Sequence, residues 1–249
     1  LARAGCHVER YVLRQDNDFD LDDGFLPFLM ERKPEAVFLC NPNNPTGRIL
    51  PFDTLEKILE FCHQHHTRLF LDECFLDLSD EGISMKGYLK AYPELCILKA
   101  FTKSYGMAGV RLGYCLCSDE ELLEKMSRTV QPWNVSILAQ AAGIAALSET
   151  QFLAKTKALI PVERRWLKGE LEALGLWVCP SKANYLLFYG EPELHTTLKK
   201  HGIAIRNCDN YHGLSSGWYR IAVRLHEQNR QLIAAMKQVL RKESSWQKT

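Results

Sequence analysis

Four polar side chains that could bind or react with a ligand lie at or next to the ends of short apolar runs in this sequence. They are Asn44, Asp72, Lys103 and Arg111. An open sheet of parallel strands binds its ligands at the carboxyl ends of those strands. Because an amide, a carboxylate, an amine and a guanidinium are all expected at that edge, we predict that the four residues form one site.

Segment 101–114 (FTKSYGMAGVRLGY) is the most specific of these signals. A lysine attacks an aldehyde only while its amine is neutral, and a buried position beside a cation favours that form. We expect Lys103 to occupy such a position, with Arg111 as the neighbouring cation. A guanidinium also suits a bidentate phosphate contact. Taken alone, the segment fits a surface loop with an incidental lysine and arginine equally well.

Asp72 ends the apolar run 68–72 (RLFLD), and Asn44 lies in the turn cluster 41–47 (NPNNPTG). A carboxylate at a buried strand end requires a cationic partner, and a protonated pyridine nitrogen is one. The alternative for Asp72 is a helix cap. For Asn44 it is an ordinary tight turn.

The first half of the chain alternates short apolar runs with helical periods. Runs 36–40 (AVFLC) and 68–72 flank a helical period at Leu55, Ile58 and Leu59, which indicates parallel strands joined by a crossover helix. Further strands are predicted at 96–100 and 112–117, with helices at 119–129 and 135–147. We therefore predict an α/β domain with a mainly parallel sheet over residues 1–150.

The order of elements changes in the second half. A helix is predicted over 151–174, followed by strands at 176–179, 185–189, 203–206 and 219–223. Helices are predicted near 193–201 and 227–241. This pattern predicts a smaller α+β domain over residues 151–249.

Composition limits the classes of partner. The formal net charge is +1, which gives no indication of a nucleic-acid partner, and no apolar run approaches the ~20 residues that span a bilayer.

Nine cysteines without a CxxC pair predict free thiols in a reducing cytoplasm. The group Cys62, His63, His65 and His66 could suggest a metal site, but it falls at the end of an amphipathic helix, so we predict a solvated helix end and no metal. The chain begins without Met, and we expect an N-terminal part of the parent protein to be missing.

Together, these motifs resemble the fold-type I superfamily of pyridoxal-phosphate (PLP) aminotransferases, class I and II, over nearly the whole chain. Asn-Pro-Thr-Gly, a strand ending in Asp, a Lys after Ser or Thr, and a downstream Arg-x-Gly recur there in this order. The resemblance implies PLP as the cofactor. It also implies a homodimer with the site at its interface.

The resemblance further implies a role for each matching residue near the cofactor. Lys103 forms the imine with its aldehyde, Asp72 pairs with the pyridine nitrogen, and Asn44 binds the ring oxygen. Arg111 binds the phosphate, and Thr102 shares that work.

Two residues of the second half match positions near the substrate. Arg220 matches an arginine that binds the substrate α-carboxylate, and Asn184 matches an active-site asparagine. Without the resemblance, Arg220 is a charge at a strand edge and Asn184 a turn residue.

The sequence departs from the superfamily pattern at two positions. Many relatives have Tyr where Phe75 stands, and Ser or Thr where Ala100 stands. The glycine-rich phosphate loop and the ring-stacking aromatic have no counterpart in this sequence. These departures leave more of the ring-oxygen contact to Asn44 and more of the phosphate contact to Arg111 and Thr102.

Two families within the superfamily are similar to this sequence: threonine-phosphate decarboxylases of cobalamin synthesis and histidinol-phosphate aminotransferases. Phe75, segment 131–136 (QPWNVS) and segment 205–211 (IRNCDNY) favour the decarboxylases. Arg206 and Arg224 suit the phosphate of such a substrate, although ordinary surface charges explain Arg224 equally well.

Two other classes remain as alternatives. A nucleotide-binding α/β protein requires a G-x-G-x-x-G turn, and segment 106–109 does not fit that spacing. A non-catalytic regulator on the same scaffold carries a DNA-binding helix-turn-helix upstream of this region. Visible absorbance of a lysine-bound PLP distinguishes an enzyme from both.

Overall fold

The computed structural model describes residues 2–246, which form two four-stranded sheets with helices packed against them. The first sheet contains β1 (Ala36–Cys40), β2 (Arg68–Asp72), β3 (Leu95–Ala100) and β4 (Gly113–Leu116) in that order. The first three strands are parallel, as predicted, whereas β4 pairs with β3 in the antiparallel sense.

Helices α1 to α5 accompany this sheet, and their bounds are α1 Phe25–Arg32, α2 Phe52–Gln64, α3 Phe101–Ser104, α4 Glu120–Thr129 and α5 Ile137–Ser148. The fully buried residues Ile58 and Leu59 of α2 pack with Leu71 and Ile97 of the sheet. The spacing of three or four residues between apolar positions places one face of α2 on the strands. The α/β architecture and the mainly parallel sheet are therefore confirmed.

The second sheet is antiparallel and has the order β5 (Trp177–Val178), β6 (Tyr185–Tyr189), β8 (Trp218–Ala222), β7 (Arg206–Asn207). The 24-residue helix α6 (Thr150–Ala173) precedes it, and α7 (Leu194–Lys200) and α8 (His226–Trp246) pack on it. Strand β7 begins three residues later than predicted, because the apolar residues 203–205 pack on the core as irregular chain instead of pairing.

Direct contacts join the two halves of the chain, and Arg48 and Arg164 make two of them. Arg48 donates from Nη1 to the carbonyl of Pro180 at 2.9 Å and pairs with Asp20. Arg164 of α6, which is 8% exposed, binds both carboxylate oxygens of Asp80 at 3.0 and 2.8 Å. A domain boundary near residue 150 remains a prediction.

No single helix among residues 2–246 is long and apolar enough to cross a membrane. The pair α5 and α6, bent by 71°, passes the same test by length and composition when the two helices are taken together.

Candidate active site

Asp72 lies at the carboxyl end of β2, which is flanked by β1 and β3 in the first sheet. It is the last residue of β2 and is in register with Cys40 of β1 and Leu98 of β3. Its Oδ1 accepts a hydrogen bond from the amide of Cys74 at 2.9 Å. Among residues 2–240, whose side chains the structure describes, no Lys, Arg or His nitrogen pairs with this half-buried carboxylate, which leaves it available to a ligand cation.

Two thiols near Asp72 remain protonated at neutral pH. Burial, and then the negative charge of Asp72, raises the pKa of Cys40 to about 12. Burial and a hydrogen bond with Asp72 raise the pKa of Cys74 to about 12. Neither thiol is therefore a nucleophile at neutral pH, and each keeps its proton next to the carboxylate.

Lys103 lies on α3, the single turn that follows β3 directly, and Thr102 before it is half-buried. Its Nζ lies 5.2 Å from the centre of the Phe75 ring. The prediction of a buried lysine is wrong, because its side chain is exposed. The turn lies at the carboxyl edge of the sheet, where the Phe75 ring contacts the amine on one side and leaves it accessible.

Arg111 lies at the entry to β4 in a left-handed backbone conformation, with φ of 58°. Its Nη1 donates to the carbonyl of Ala108 at 3.2 Å, and its side chain is exposed. Among the residues that the structure describes, no carboxylate pairs with it, so its guanidinium is available to an anion. The predicted proximity of its charge to the Lys103 amine remains a prediction.

Asn44 connects the two sheets through its side-chain oxygen. Its Oδ1 accepts hydrogen bonds from Arg220 Nη1 and, at 3.3 Å, from the hydroxyl of Tyr211. Arg220 belongs to β8 of the second sheet, whereas Asn44 follows β1 of the first. The structure thus brings together a residue predicted to bind cofactor and one predicted to bind substrate.

An aromatic pair links Lys103 to Arg220. The Phe75 ring packs edge-to-face on Tyr185, with centroids 4.8 Å apart and planes at 74°. The Arg220 guanidinium lies over the other ring, 5.2 Å from its centroid, and the Tyr185 hydroxyl donates to the carbonyl of Asn43 at 2.7 Å. Each cation thus contacts one ring of the pair.

Asn184 precedes β6 and has a buried Oδ1 with no hydrogen-bond partner in the described part of the chain. The residue before it is held in place, because Arg164 Nη1 donates to the carbonyl of Ala183 at 3.2 Å. A buried acceptor without a donor is costly, and it is typical of a group whose partner arrives with a ligand.

Arg206 of β7 is in register with Arg220 of β8. Residues directly opposite each other on antiparallel strands project from the same face, and like charges in that position repel. Arg206 donates to Asn210 Oδ1 at 3.1 Å, and neither arginine pairs with a carboxylate of residues 2–240, whose side chains the structure describes. Arg224 is exposed and donates to Gln228 Oε1 at 3.0 Å.

Tyr185 and Tyr211 were not predicted as site residues. Tyr185 directly follows Asn184, and Tyr211 ends segment 205–211. Their contacts with residues 43 and 44 span 142 and 167 positions along the chain, so no local pattern indicated them.

Asp72 and the Lys103 amine lie at the carboxyl edge of a mainly parallel sheet, and two facing arginines lie on a second, antiparallel sheet. This arrangement is that of the PLP enzymes of fold type I. Comparison with known proteins agrees with this class. The family described as aminotransferase class I and II matches residues 1–236, and the chain belongs to that family.

Three relatives illustrate the similarity. The threonine-phosphate decarboxylase of Salmonella typhimurium is 36% identical over 244 residues, which are 96% of this chain and 67% of that protein. The histidinol-phosphate aminotransferase from Clostridium acetobutylicum superposes with a TM-score of 0.84 at 27% identity, over 90% of this chain and 69% of that one. The histidinol-phosphate aminotransferase from Sinorhizobium meliloti in complex with pyridoxal-5'-phosphate gives 0.75 at 25% identity, over 88% and 61%. The chain thus spans about two thirds of their length.

Pyridoxal 5'-phosphate is the cofactor of this family, and the residues present fit it. The Asp72 carboxylate has no cationic partner among the described residues, and the Lys103 amine is exposed beside Phe75. A protonated ring nitrogen requires an anionic partner, which Asp72 supplies. The cofactor aldehyde requires an amine, which Lys103 supplies.

Proposed function

We propose that this enzyme decarboxylates L-threonine O-3-phosphate to 1-aminopropan-2-yl phosphate. The bond between Cα and the carboxyl carbon breaks, CO2 leaves, and a proton takes its place on Cα. We propose that the reaction serves cobalamin synthesis. The cofactor supplies an electron sink for the pair released at Cα.

The pair Arg206 and Arg220 is the observation that carries this proposal. Both project from the same face of the second sheet, and neither pairs with a carboxylate among the side chains that the structure describes. Two such cations fit a substrate with two anionic groups. Arg220 binds the α-carboxylate and Arg206 binds the phosphate, since guanidinium forks match both.

Six further residues hold the cofactor and the substrate. Asp72 keeps the ring nitrogen protonated, Asn44 binds the ring oxygen, and Arg111 with Thr102 binds the phosphate of the cofactor. Lys103 Nζ holds the cofactor and then carries the proton that is delivered to the substrate Cα. The free Oδ1 of Asn184 accepts a hydrogen bond from a ligand donor.

The alternative is a histidinol-phosphate or related amino-acid aminotransferase, which the similarity to the Clostridium acetobutylicum structure supports. The two activities differ in which bond at the substrate Cα stands perpendicular to the cofactor ring. Two observations favour the decarboxylase: the similarity to the Salmonella typhimurium enzyme, and Phe75, which stands where many relatives in the superfamily have Tyr.

The test is to supply the purified protein with threonine phosphate and measure CO2, and separately with histidinol phosphate plus 2-oxoglutarate and measure glutamate. We expect CO2 without glutamate. Glutamate without CO2 would reverse the assignment. Visible absorbance that borohydride removes, with the label mapped to Lys103, tests the cofactor attachment itself. A Lys103→Ala variant serves as the control.

We also propose that the enzyme works as a homodimer in the cytoplasm and that its two domains divide near residue 150. The exposed apolar face of α5 supports the dimer, since Ile137 and Leu138 are 80% and 78% exposed. The nine free cysteines support a reducing compartment. The position of α6 between the two sheets supports the division.

A further inference from the structure

We propose that an ion cluster, formed by the buried residues Glu73, Lys99 and Ser104 and the half-buried Asp77, fixes the spacing between Asp72 and Lys103. The cluster makes Ser104 and Asp77 positioning residues for the Lys103 amine. The inference rests on the proposed function of Asp72 and Lys103.

Lys99 is the centre of the cluster. Its Nζ lies 2.8 Å from Asp77 Oδ1 and 3.4 Å from Glu73 Oε2, and its side chain is 9% exposed. Burial alone would lower the pKa of Lys99, but hydrogen bonds and charge from Asp77 and Glu73 raise it overall. The ammonium group therefore stays charged at neutral pH.

Glu73 anchors one end of the cluster. Its side chain is fully buried, and it accepts hydrogen bonds from Ser84 Oγ at 2.6 Å and from the amide of Met85 at 3.0 Å. With Lys99 as a third partner, this carboxylate is held in one position. Its neighbour along the chain is Asp72.

Ser104 anchors the other end. Its hydroxyl donates to Asp77 Oδ2 at 3.0 Å, and the residue is 4% exposed. Its neighbour along the chain is Lys103. Asp77 thus joins the single turn of α3 to Lys99 with one oxygen each.

The cluster and the candidate active site therefore use adjacent residues of the same two segments. The side chains of Glu73 and Ser104 belong to the cluster. The neighbouring Asp72 carboxylate has no cationic partner among the described side chains, and the Lys103 side chain is exposed. A four-residue helix has little stability of its own. The Ser104 bond to the half-buried Asp77 carboxylate supplies a tertiary constraint for Lys103, its neighbour along the chain. Through Asp77, Lys99 and Glu73, the same contacts continue to Asp72 at the end of β2.

The experiment compares Ser104→Ala with Ser127→Ala, whose hydroxyl bonds the Glu124 carbonyl on exposed α4. Hydrogen exchange is measured on the cofactor-free protein at the amides of Tyr105 and Gly106, which bond to the carbonyls of Phe101 and Lys103. A visible titration gives the dissociation constant for pyridoxal 5'-phosphate. We expect Ser104→Ala to speed exchange and to raise the dissociation constant, each by about tenfold. Ser127→Ala leaves both unchanged.

Unchanged exchange at these amides would overturn the proposal. Faster exchange with unchanged cofactor affinity would overturn it as well, because the cluster would then have only a structural role. Asp77→Asn, which keeps the shape and removes the charge, is expected to act in the same direction. If the unsubstituted protein takes up no cofactor at Lys103, the proposed function fails, and the exchange measurement alone still decides whether the cluster orders the turn.

Discussion

Arg206 and Arg220 face each other across β7 and β8 without a carboxylate between them in the described chain. We predict that Arg206→Met raises KM for a phosphorylated substrate by about 10- to 100-fold, because a hydrogen bond to a charged group contributes about 1.5–3 kcal/mol. Steady-state kinetics check this, with kcat changing less than KM.

Arg206→Lys should recover part of the loss, since an ammonium supplies charge without the planar fork. Arg230→Met, at an exposed position on α8 near Glu227, is the control and should leave KM unchanged. Equal KM values for Arg206→Met and Arg230→Met would exclude a phosphate contact at Arg206.

The Tyr185 hydroxyl and the amide of Gly47 share the carbonyl of Asn43, at 2.7 Å each. We predict that Tyr185→Phe lowers the free energy of unfolding by about 1 kcal/mol, the typical value of one internal hydrogen bond. Urea unfolding measures it. Tyr189→Phe is the matched control, because Tyr189 lies on the same strand and is 44% exposed. An equal loss in both variants would contradict the prediction.

Cys40 and Cys74, whose pKa values burial and Asp72 raise to about 12, should resist alkylation at pH 8. Only the thiolate reacts, and its fraction at that pH is on the order of one in 10⁴. Exposed Cys6 should react first. Mass spectrometry after iodoacetamide treatment checks the order, and denaturation should make all sites react alike. Early labelling of Cys74 would count against a protonated thiol beside Asp72.

The turn after β1 depends on the glycine at position 47. Its φ is +75°, and an added Cβ would lie 2.0 Å from Ser181 Oγ and 2.7 Å from Ser181 Cβ. We predict that Gly47→Ala lowers the free energy of unfolding by about 2–4 kcal/mol, since it adds left-handed strain to a clash.

Gly169→Ala on α6 is the comparison, because nothing lies within 4 Å of its added Cβ. A helix-interior glycine costs about 0.5–1 kcal/mol relative to alanine, so this variant should be more stable by that amount. Thermal or urea unfolding of the two variants should therefore give changes of opposite sign. A tolerated Gly47→Ala would show that Ser181 can move aside.

Sequence patterns predicted the elements where one physical signal dominates. Strands β1, β2 and β6 have the predicted bounds, because each is an apolar run between turn residues. Helix α1 was missed, since eight residues with an internal Pro give a weak period. The antiparallel direction of β4 was not predicted either, because alternation along a strand carries no information on its partner's direction.

Helix α5 exposes apolar side chains to solvent, and formation of a dimer would bury them. Ile144 and Leu147 are 71% and 61% exposed, in addition to Ile137 and Leu138. We predict a dimer in sedimentation analysis and loss of that dimer in a Leu138→Lys, Ile144→Lys double variant. Met30→Lys, at a 59% exposed position on α1, is the control. A monomeric unsubstituted protein would contradict the prediction.

The candidate site was predictable in its residue types but not in its contacts. Asn44, Asp72 and Lys103 follow strand ends, and topology brings such ends to one edge. The exposure of Lys103 and the hydrogen bond between Asn44 and Arg220 depend on how the second sheet packs against the first. The spacing of residues along the chain does not indicate how the two sheets pack.

The shared hydrogen bond between Asn44 and Arg220 makes their substitutions non-independent. Removing the arginine also frees the amide that is expected to hold the ring oxygen, and removing the amide leaves the guanidinium without its orienting acceptor. Alanine at both positions should therefore cost less than the sum of the two single losses. In any lineage that alters substrate choice through Arg220, the residue at position 44 would be under selection to change with it.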